Sequence, residues 1–340
     1  MKSYNSIDLM KFIMAILIIC IHTDPLKEVM PLINYGICQC IARVAVPLFF
    51  MTSGFLLFQK MDFGKLDIKK IKNYVKHIFK LYVSWSLIYI PLIYADVISK
   101  PGILNYNIVD EINNIIMGGS YLHLWFLKAL ISASIFSTTL LLFKINKKKI
   151  IKILFILYIL ALFEHSYYGI YKYIIPNESI INIMINEWSH VIVTSRDGIC
   201  FGAIYFFLGA CISENIKKNK IPQYYTQYML LSWLGLFIEA MLVKVWGLIR
   251  VADIYIMLIP TAYYTFVYIL NIKLEDSIVY FYLRQQSMFI FYTHALFIYV
   301  YREFYSMNHF YIFVLTVVTS IGISHILIKL NNNIIIKHLS

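Results

Sequence analysis

Ten apolar stretches, most of them close to a membrane thickness in length, alternate with short polar connections along this chain. They occupy residues 8–28, 37–58, 75–98, 122–143, 150–165, 198–214, 228–248, 252–271, 285–304 and 311–330. A helix rises about 1.5 Å per residue and needs about 20 apolar residues to cross the hydrocarbon of a bilayer. The pattern therefore predicts an all-α integral membrane protein of about ten transmembrane helices; the fifth stretch is the shortest. The runs are continuous rather than alternating, which predicts helices and not a barrel. With no repeat, linker or low-complexity tract, residues 1–340 read as one domain.

The connections alternate in charge. The run from Lys60 to Lys80 holds seven lysines, then come Lys144, Lys147, Lys148, Lys149 and Lys152, then Lys217, Lys218 and Lys220. The intervening connections carry Asp96, Asp110, Glu111, Glu164, Glu178 and Glu187. Lysine in short loops favours the cytoplasm, so both termini are expected there, in a multi-pass protein of the bacterial plasma membrane. The composition agrees: 60% hydrophobic, 14% charged, mean hydropathy +0.71. The net charge of +12 is then an asymmetry facing anionic lipid, and no compact basic region for nucleic acid is present. Cys20, Cys38, Cys40, Cys200 and Cys211 match no zinc spacing with histidine; they read as small buried residues, and no metal is expected.

The chemistry lies in polar groups at shared depth. His22 sits about 9 Å below the outer end of the first stretch, counting helical rise. Arg43 reaches a similar depth on the second, followed by Pro47, which predicts a kink. His123 and Trp125 open the fourth, Arg196 and Asp197 open the sixth, Glu239 lies in the outer half of the seventh and His294 is near mid-depth in the ninth. Ionisable groups within a bilayer face a wet cavity or one another. Each has a plain alternative: a neutral His22 bonded to a carbonyl, an Arg43–Glu239 pair, interfacial His123 and Arg196, an Asp197 helix cap, a packed His294. Between the fifth and sixth stretches, Tyr167, Tyr168, Tyr171, Tyr173 and Trp188 offer stacking faces to a sugar-like acceptor or an interfacial belt. At the inner side Lys11, Lys76, His77 and Lys80 suit a polyphosphate or lipid headgroups.

At these residues the chain resembles acyltransferase family 3, over nearly its whole length. Ile7-Asp8-Leu9-Met10-Lys11 through His22 resembles the family's opening of an Asp, then an Arg, ten residues and a His, with Lys11 in place of that Arg. Arg43-Val44-Ala45-Val46-Pro47-Leu48-Phe49-Phe50-Met51-Thr52-Ser53-Gly54-Phe55 is a close match to its second signature, and Lys80 to Tyr89, His123 to Leu127, Ser195 to Gly198 and Leu283 to His294 follow in order. Within the family, His22 to Leu26 and Arg196-Asp197-Gly198 resemble the membrane part of the vancomycin-resistance serine racemases. The resemblance implies a membrane O-acyltransferase moving an acyl group, often acetyl, from cytoplasmic acyl-CoA to a hydroxyl on a cell-envelope glycan, a lipid or a small molecule. In that role His22 is the expected general base, Arg43 steadies the oxyanion and Glu239 or Asp24 orients His22. Lys11, Lys76 and Lys80 are expected to hold the CoA phosphates, and His123, Trp125, Arg196, Asp197 and His294 to face the acceptor. The competing reading is a serine-type amino-acid transporter, with Arg43 on the carboxylate and Glu239 on the ammonium.

Overall fold

The computed structural model describes residues 4–99, 121, 123–174, 198–220, 222–305 and 307–330. Their order is α1 (Asn5–Thr23), α2 (Pro31–Gly36), a π-helical turn (Ile37–Ile41), a 3-10 turn (Ala42–Val44), α3 (Ala45–Gln59), α4 (Ile68–Ser99), α5 (Trp125–Leu142), α6 (Lys147–Glu164) and α7 (Tyr168–Ile174). A second π-helical turn (Gly198–Gly202) leads into α8 (Ala203–Lys217), then α9 (Tyr225–Val245), α10 (Leu258–Asn271), α11 (Ile278–Tyr305) and α12 (His309–Lys329).

Each of the ten predicted stretches coincides with helix, and among the described residues seven helices are long and apolar enough to cross a membrane: Asn5–Thr23, Pro31–Gln59, Ile68–Ala95, Trp125–Leu142, Gly198–Lys217, Tyr225–Val245 and His309–Lys329. The other three fall short for visible reasons. Helix α6 carries Lys147, Lys148, Lys149, Lys152 and Glu164 within its 18 residues. Helix α10 has 14 residues. Helix α11 is 28 residues long but carries Gln285, Gln286, His294 and several tyrosines.

Just before Pro47, where a kink is expected, the chain departs from regular α-helix. Pro47 has no N–H to give to the carbonyl of Arg43, and its ring crowds that carbonyl. The chain between Pro31 and Gln59 answers with its π and 3-10 turns at Ile37–Val44. That irregular segment carries Gln39 and Arg43.

Two helix pairs build the frame. Helices α3 and α8 meet where Gly54 faces the Phe206 carbonyl and Gly209 faces the Met51 carbonyl. Helices α1 and α11 run parallel: Asn5 donates to Asp276 near their starts, Asp8 and Arg284 pair at 3.9 Å, and Ala15 and Ile19 pack on Ile290 farther along. Helix α12 closes this pair with Phe313, Val317 and Ile321. Helix α4 docks on α11 by stacking Trp85 on Tyr292, with ring centroids 4.8 Å apart, and by a 2.7 Å hydrogen bond from the Tyr89 hydroxyl to the Tyr292 carbonyl.

At the lysine-rich end, the Lys217 ammonium caps α3 by donating to the Phe58 and Met61 carbonyls, both at 2.9 Å, and to Asp62 at 2.8 Å. The hydrogen bond from Lys217 holds the exposed Asp62 carboxyl below the usual carboxylate range. A group whose folded value is lowered stabilises the fold above its unfolded value and loses that contribution as pH falls through the folded one. Lys217→Met is therefore expected to lower the melting temperature modestly at neutral pH, the contact being solvent-screened, and to flatten the acid limb of a melting-temperature-versus-pH curve by the same amount.

Candidate functional site

His22 lies one turn after Ile18 and Ile19 on α1, and His294 one turn after Ile290 on α11. The parallel pairing of those helices therefore brings the two rings together, with centroids 5.5 Å apart. His123 precedes α5 and completes the group, its ring centroid 5.0 Å from that of His294. Tyr89, at 5.0 Å, and Phe291, at 5.5 Å, pack edge-on against His123. His123 and His294 are fully enclosed, with relative exposures of 2% and 0%, whereas His22 is half-buried.

The hydrogen bonds divide the imidazoles by role. His294 Nδ1 lies 3.1 Å from the Ile290 carbonyl one turn back. That bond puts a proton on Nδ1 and leaves Nε2 as a lone-pair acceptor, and Nε2 has no partner among the described residues. The ring nitrogens of His123 are buried and, among the described residues, within hydrogen-bond reach of no partner of good geometry. Buried polar atoms are nearly always satisfied, so three bare imidazole nitrogens in one cluster are the mark of a site rather than of a packed core.

The cluster opens, through His22, into a cavity of about 160 Å³ lined by Tyr121, Ala295, Ile298, Tyr299, Arg302 and Glu303. Arg302 also donates to the His22 carbonyl, and His309 Nδ1 lies 2.6 Å from the Thr23 carbonyl. Two basic side chains thus satisfy the last carbonyls of α1 and complement its dipole. They hold the backbone under His22 in place.

A larger cleft of about 550 Å³ approaches from the lysine-rich end. One face of α3 lines it, with Phe49, Thr52, Ser53, Leu56, Leu57 and Lys60 at helical spacing, opposite Lys70, Asn73 and Tyr74 of α4. Lys11 of α1 reaches into it. From Lys60 to Phe49 the face extends about 16 Å by helical rise. Phe49 and Phe126 line the cleft's far end, and Phe291 touches both, with ring centroids at 6.1 and 5.6 Å.

Of the residues singled out in the sequence, His22, His123 and His294 come together and Lys11 lines the cleft. Lys76 and Lys80 do not; they are exposed on the adjacent face of α4, and Lys60 and Lys70 occupy the cleft instead. Arg43 lies apart from the His22 cavity: its Nε donates to Gln39 at 2.8 Å, and its charge is felt by Tyr35 and Tyr255. Trp125 packs on Phe126 and Phe201. Asp24 accepts from the Asn34 amide at 3.0 Å within the turn after α1. Arg196, Asp197 and Trp188 lie outside the described residues.

Glu239 also differs from expectation. Its carboxylate accepts from the backbone N–H groups of Ile256 and Met257, at 2.6 and 2.7 Å, and from the Tyr167 hydroxyl at 2.6 Å. It therefore anchors the start of α10 to the connection after α6, beside a buried His165–Asp253 pair at 2.7 Å. Tyr168 lies under the Arg250 guanidinium, and Tyr173 is exposed. Glu239→Ala is expected to lower thermal stability in detergent by about 1–3 kcal/mol for each donor left unpaired. Glu239→Gln, which keeps an acceptor, should recover part of that loss. Unchanged unfolding in both variants would remove this anchoring role.

The sequence pattern missed Tyr121, Tyr299, Arg302 and Glu303. For Arg302 the signal was present: His294, Ile298 and Arg302 are spaced by fours along one face of α11.

The family model described as an acyltransferase domain matches residues 4–329. An amino-acid racemase of Enterococcus faecalis is 32% identical over 273 residues, 80% of this chain and 36% of that protein. A serine/alanine racemase of Enterococcus gallinarum is 26% identical over 270 residues, 78% of this chain and 37% of that protein. The chain thus spans little more than a third of the length of these curated relatives. No solved structure matches it. With the match running through α1, α3 and α11, which carry His22, Phe49 and His294, the chain belongs to acyltransferase family 3, a family of multi-span membrane proteins.

Proposed function

We propose that this protein transfers an acyl group, acetyl in the first instance, from a cytoplasmic acyl-CoA to an acceptor hydroxyl at the opposite membrane face, such as that of a cell-envelope glycan. The observation that carries the reading is the position of the histidine cluster between two cavities, one rich in lysine and the other lined by Arg302 and Glu303. The lysine-rich end is taken as cytoplasmic on the distribution of basic loops. Lys11, Lys60 and Lys70 fit the donor's phosphates as compact point charges, and the apolar face of α3 fits the arm that carries the thioester.

At the cluster, His22 takes the proton from the acceptor hydroxyl as its oxygen attacks the thioester carbonyl carbon. A C–O bond forms, the C–S bond breaks, and the proton passes to the departing thiolate. The bare Nε2 of His294, held by the Ile290 carbonyl on its other nitrogen, orients the acceptor. His123, tucked behind both, keeps the reacting centre dry.

A second reading keeps some support. The relatives are named for amino-acid substrates, and Arg302 and Glu303, adjacent on the rim of the outer cavity, offer opposite charges to a zwitterion. Arg302 and Glu303 take the places that Arg43 and Glu239 held in the transporter expectation. One experiment separates the two. Native membranes containing the protein receive acetyl-CoA labelled in the acetyl group, and parallel vesicles receive labelled serine with no donor. Donor-dependent ester label supports transfer. Serine accumulation with no ester label overturns it.

A further inference from the structure

Resting on the acyl-transfer reading, we infer that the rings of Phe49, Phe126 and Phe291 set the length of acyl group this protein transfers, admitting groups of a few carbons and excluding long chains. The lysine-rich cleft ends on Phe49 and Phe126. Phe49 and Phe126 touch each other at 6.0 Å between centroids, and Phe291 closes the triangle on both. On its other side Phe291 meets His123 at 5.5 Å and His294 at 6.0 Å. One ring's thickness therefore separates the end of the cleft from the histidines.

The rings are not loose. Phe126 and Phe291 are each 8% exposed, and Phe126 is braced from behind by Phe50 at 4.8 Å. Phe291 is fixed on α11 one turn before His294. A thioester carbonyl that reaches the histidines must displace Phe49, the half-buried member, while Phe126 and Phe291 stay as the wall beside the carbons beyond the carbonyl. Three rings in mutual contact leave no channel for a long chain, and close packing makes each added methylene costly.

The test compares transfer from acetyl-CoA and octanoyl-CoA in membranes holding the wild-type protein, Phe126→Ala, Phe126→Leu, Phe291→Ala and Phe291→Leu, with the lipid-side Phe155→Ala as control. Phe155 is 41% exposed on α6. Wild type should strongly prefer acetyl. The alanine variants should raise the octanoyl-to-acetyl ratio by at least about tenfold, and the control should leave it unchanged. If an alanine variant does not accumulate, its leucine counterpart carries the test, since it keeps apolar volume while removing the planar face. Wild type that uses octanoyl as readily as acetyl, or variants that transfer acetyl with an unchanged ratio, would overturn the wall and leave the acyl-transfer reading standing. Absence of transfer from either thioester by wild type would overturn both.

Discussion

Replacing His22 with alanine is expected to lower acyl transfer by about 10²–10⁴-fold, the usual contribution of a positioned general base. The ring that is lost is half-buried and faces His294 and the outer cavity, so the packing of α1 on α11 through Ala15, Ile19 and Ile290 is retained. Protein level and melting temperature in detergent should therefore stay near wild type while the rate collapses. His22→Gln should behave alike, because glutamine keeps size and polarity but cannot accept the proton. The comparison that assigns the base is His294→Ala. That residue is fully enclosed, so its removal leaves a void between helices and should reduce both stability and rate. A His22→Ala protein with undiminished transfer would sink the assignment. Loss confined to His294→Ala, with His294→Gln folded but equally inactive, would move the base to His294.

The common level of His22, His123 and His294 along their helices was legible because helical rise converts sequence position into distance along a span, and histidines in apolar stretches are rare enough to stand out. Their mutual contact was not, since it depends on α1 and α11 running side by side, a pairing between residues 271 positions apart at Asn5 and Asp276. Glu239 shows the limit of the depth argument. It lies at a functional depth, yet its oxygens hold the start of α10, because a carboxylate in a membrane can be satisfied by backbone N–H groups as well as by a ligand. Lys76 and Lys80 show the limit of charge counting. They share the helix that bears Lys70, but one helical face decides which lysine looks into the cleft, and Lys70, Asn73 and Tyr74 lie on that face. Seven of the ten expected spans qualify by length and hydropathy among the described residues, for a related reason. Helices α6, α10 and α11 are charged, short or polar along their length, so hydropathy alone does not mark them as crossings, although each coincides with an expected stretch.

Placing a leucine at Gly209 or Gly54 is expected to prevent the folded protein from accumulating, and alanine at either position should measurably lower its melting temperature. A Cβ built on Gly54 falls 1.9 Å from the Phe206 carbonyl oxygen, and one on Gly209 falls 2.0 Å from that of Met51. Both obstacles are backbone, so no side-chain rotation relieves them, and α3 and α8 have to separate. In a membrane, close helix approach at small residues is what gains dispersion energy, because lipid already satisfies apolar surface. Glycine to alanine inside a helix is worth up to about 1 kcal/mol in propensity, whereas overpacking costs about 1–3 kcal/mol or more, so the clash should win. Gly322 on α12 supplies the control: a Cβ there meets nothing within 4 Å, and Gly322→Ala should be neutral or slightly stabilising. Gly54 and Gly209 pack at one crossing, so the double alanine variant should lose less than the sum of the singles, the first having already parted the helices. The effect should reach chemistry too, since α3 carries Phe49, Thr52, Ser53 and Leu56 along one face of the cleft. Alanine variants that survive should lose acyl transfer in step with stability, and full stability in Gly209→Leu would mean that α3 and α8 do not cross here.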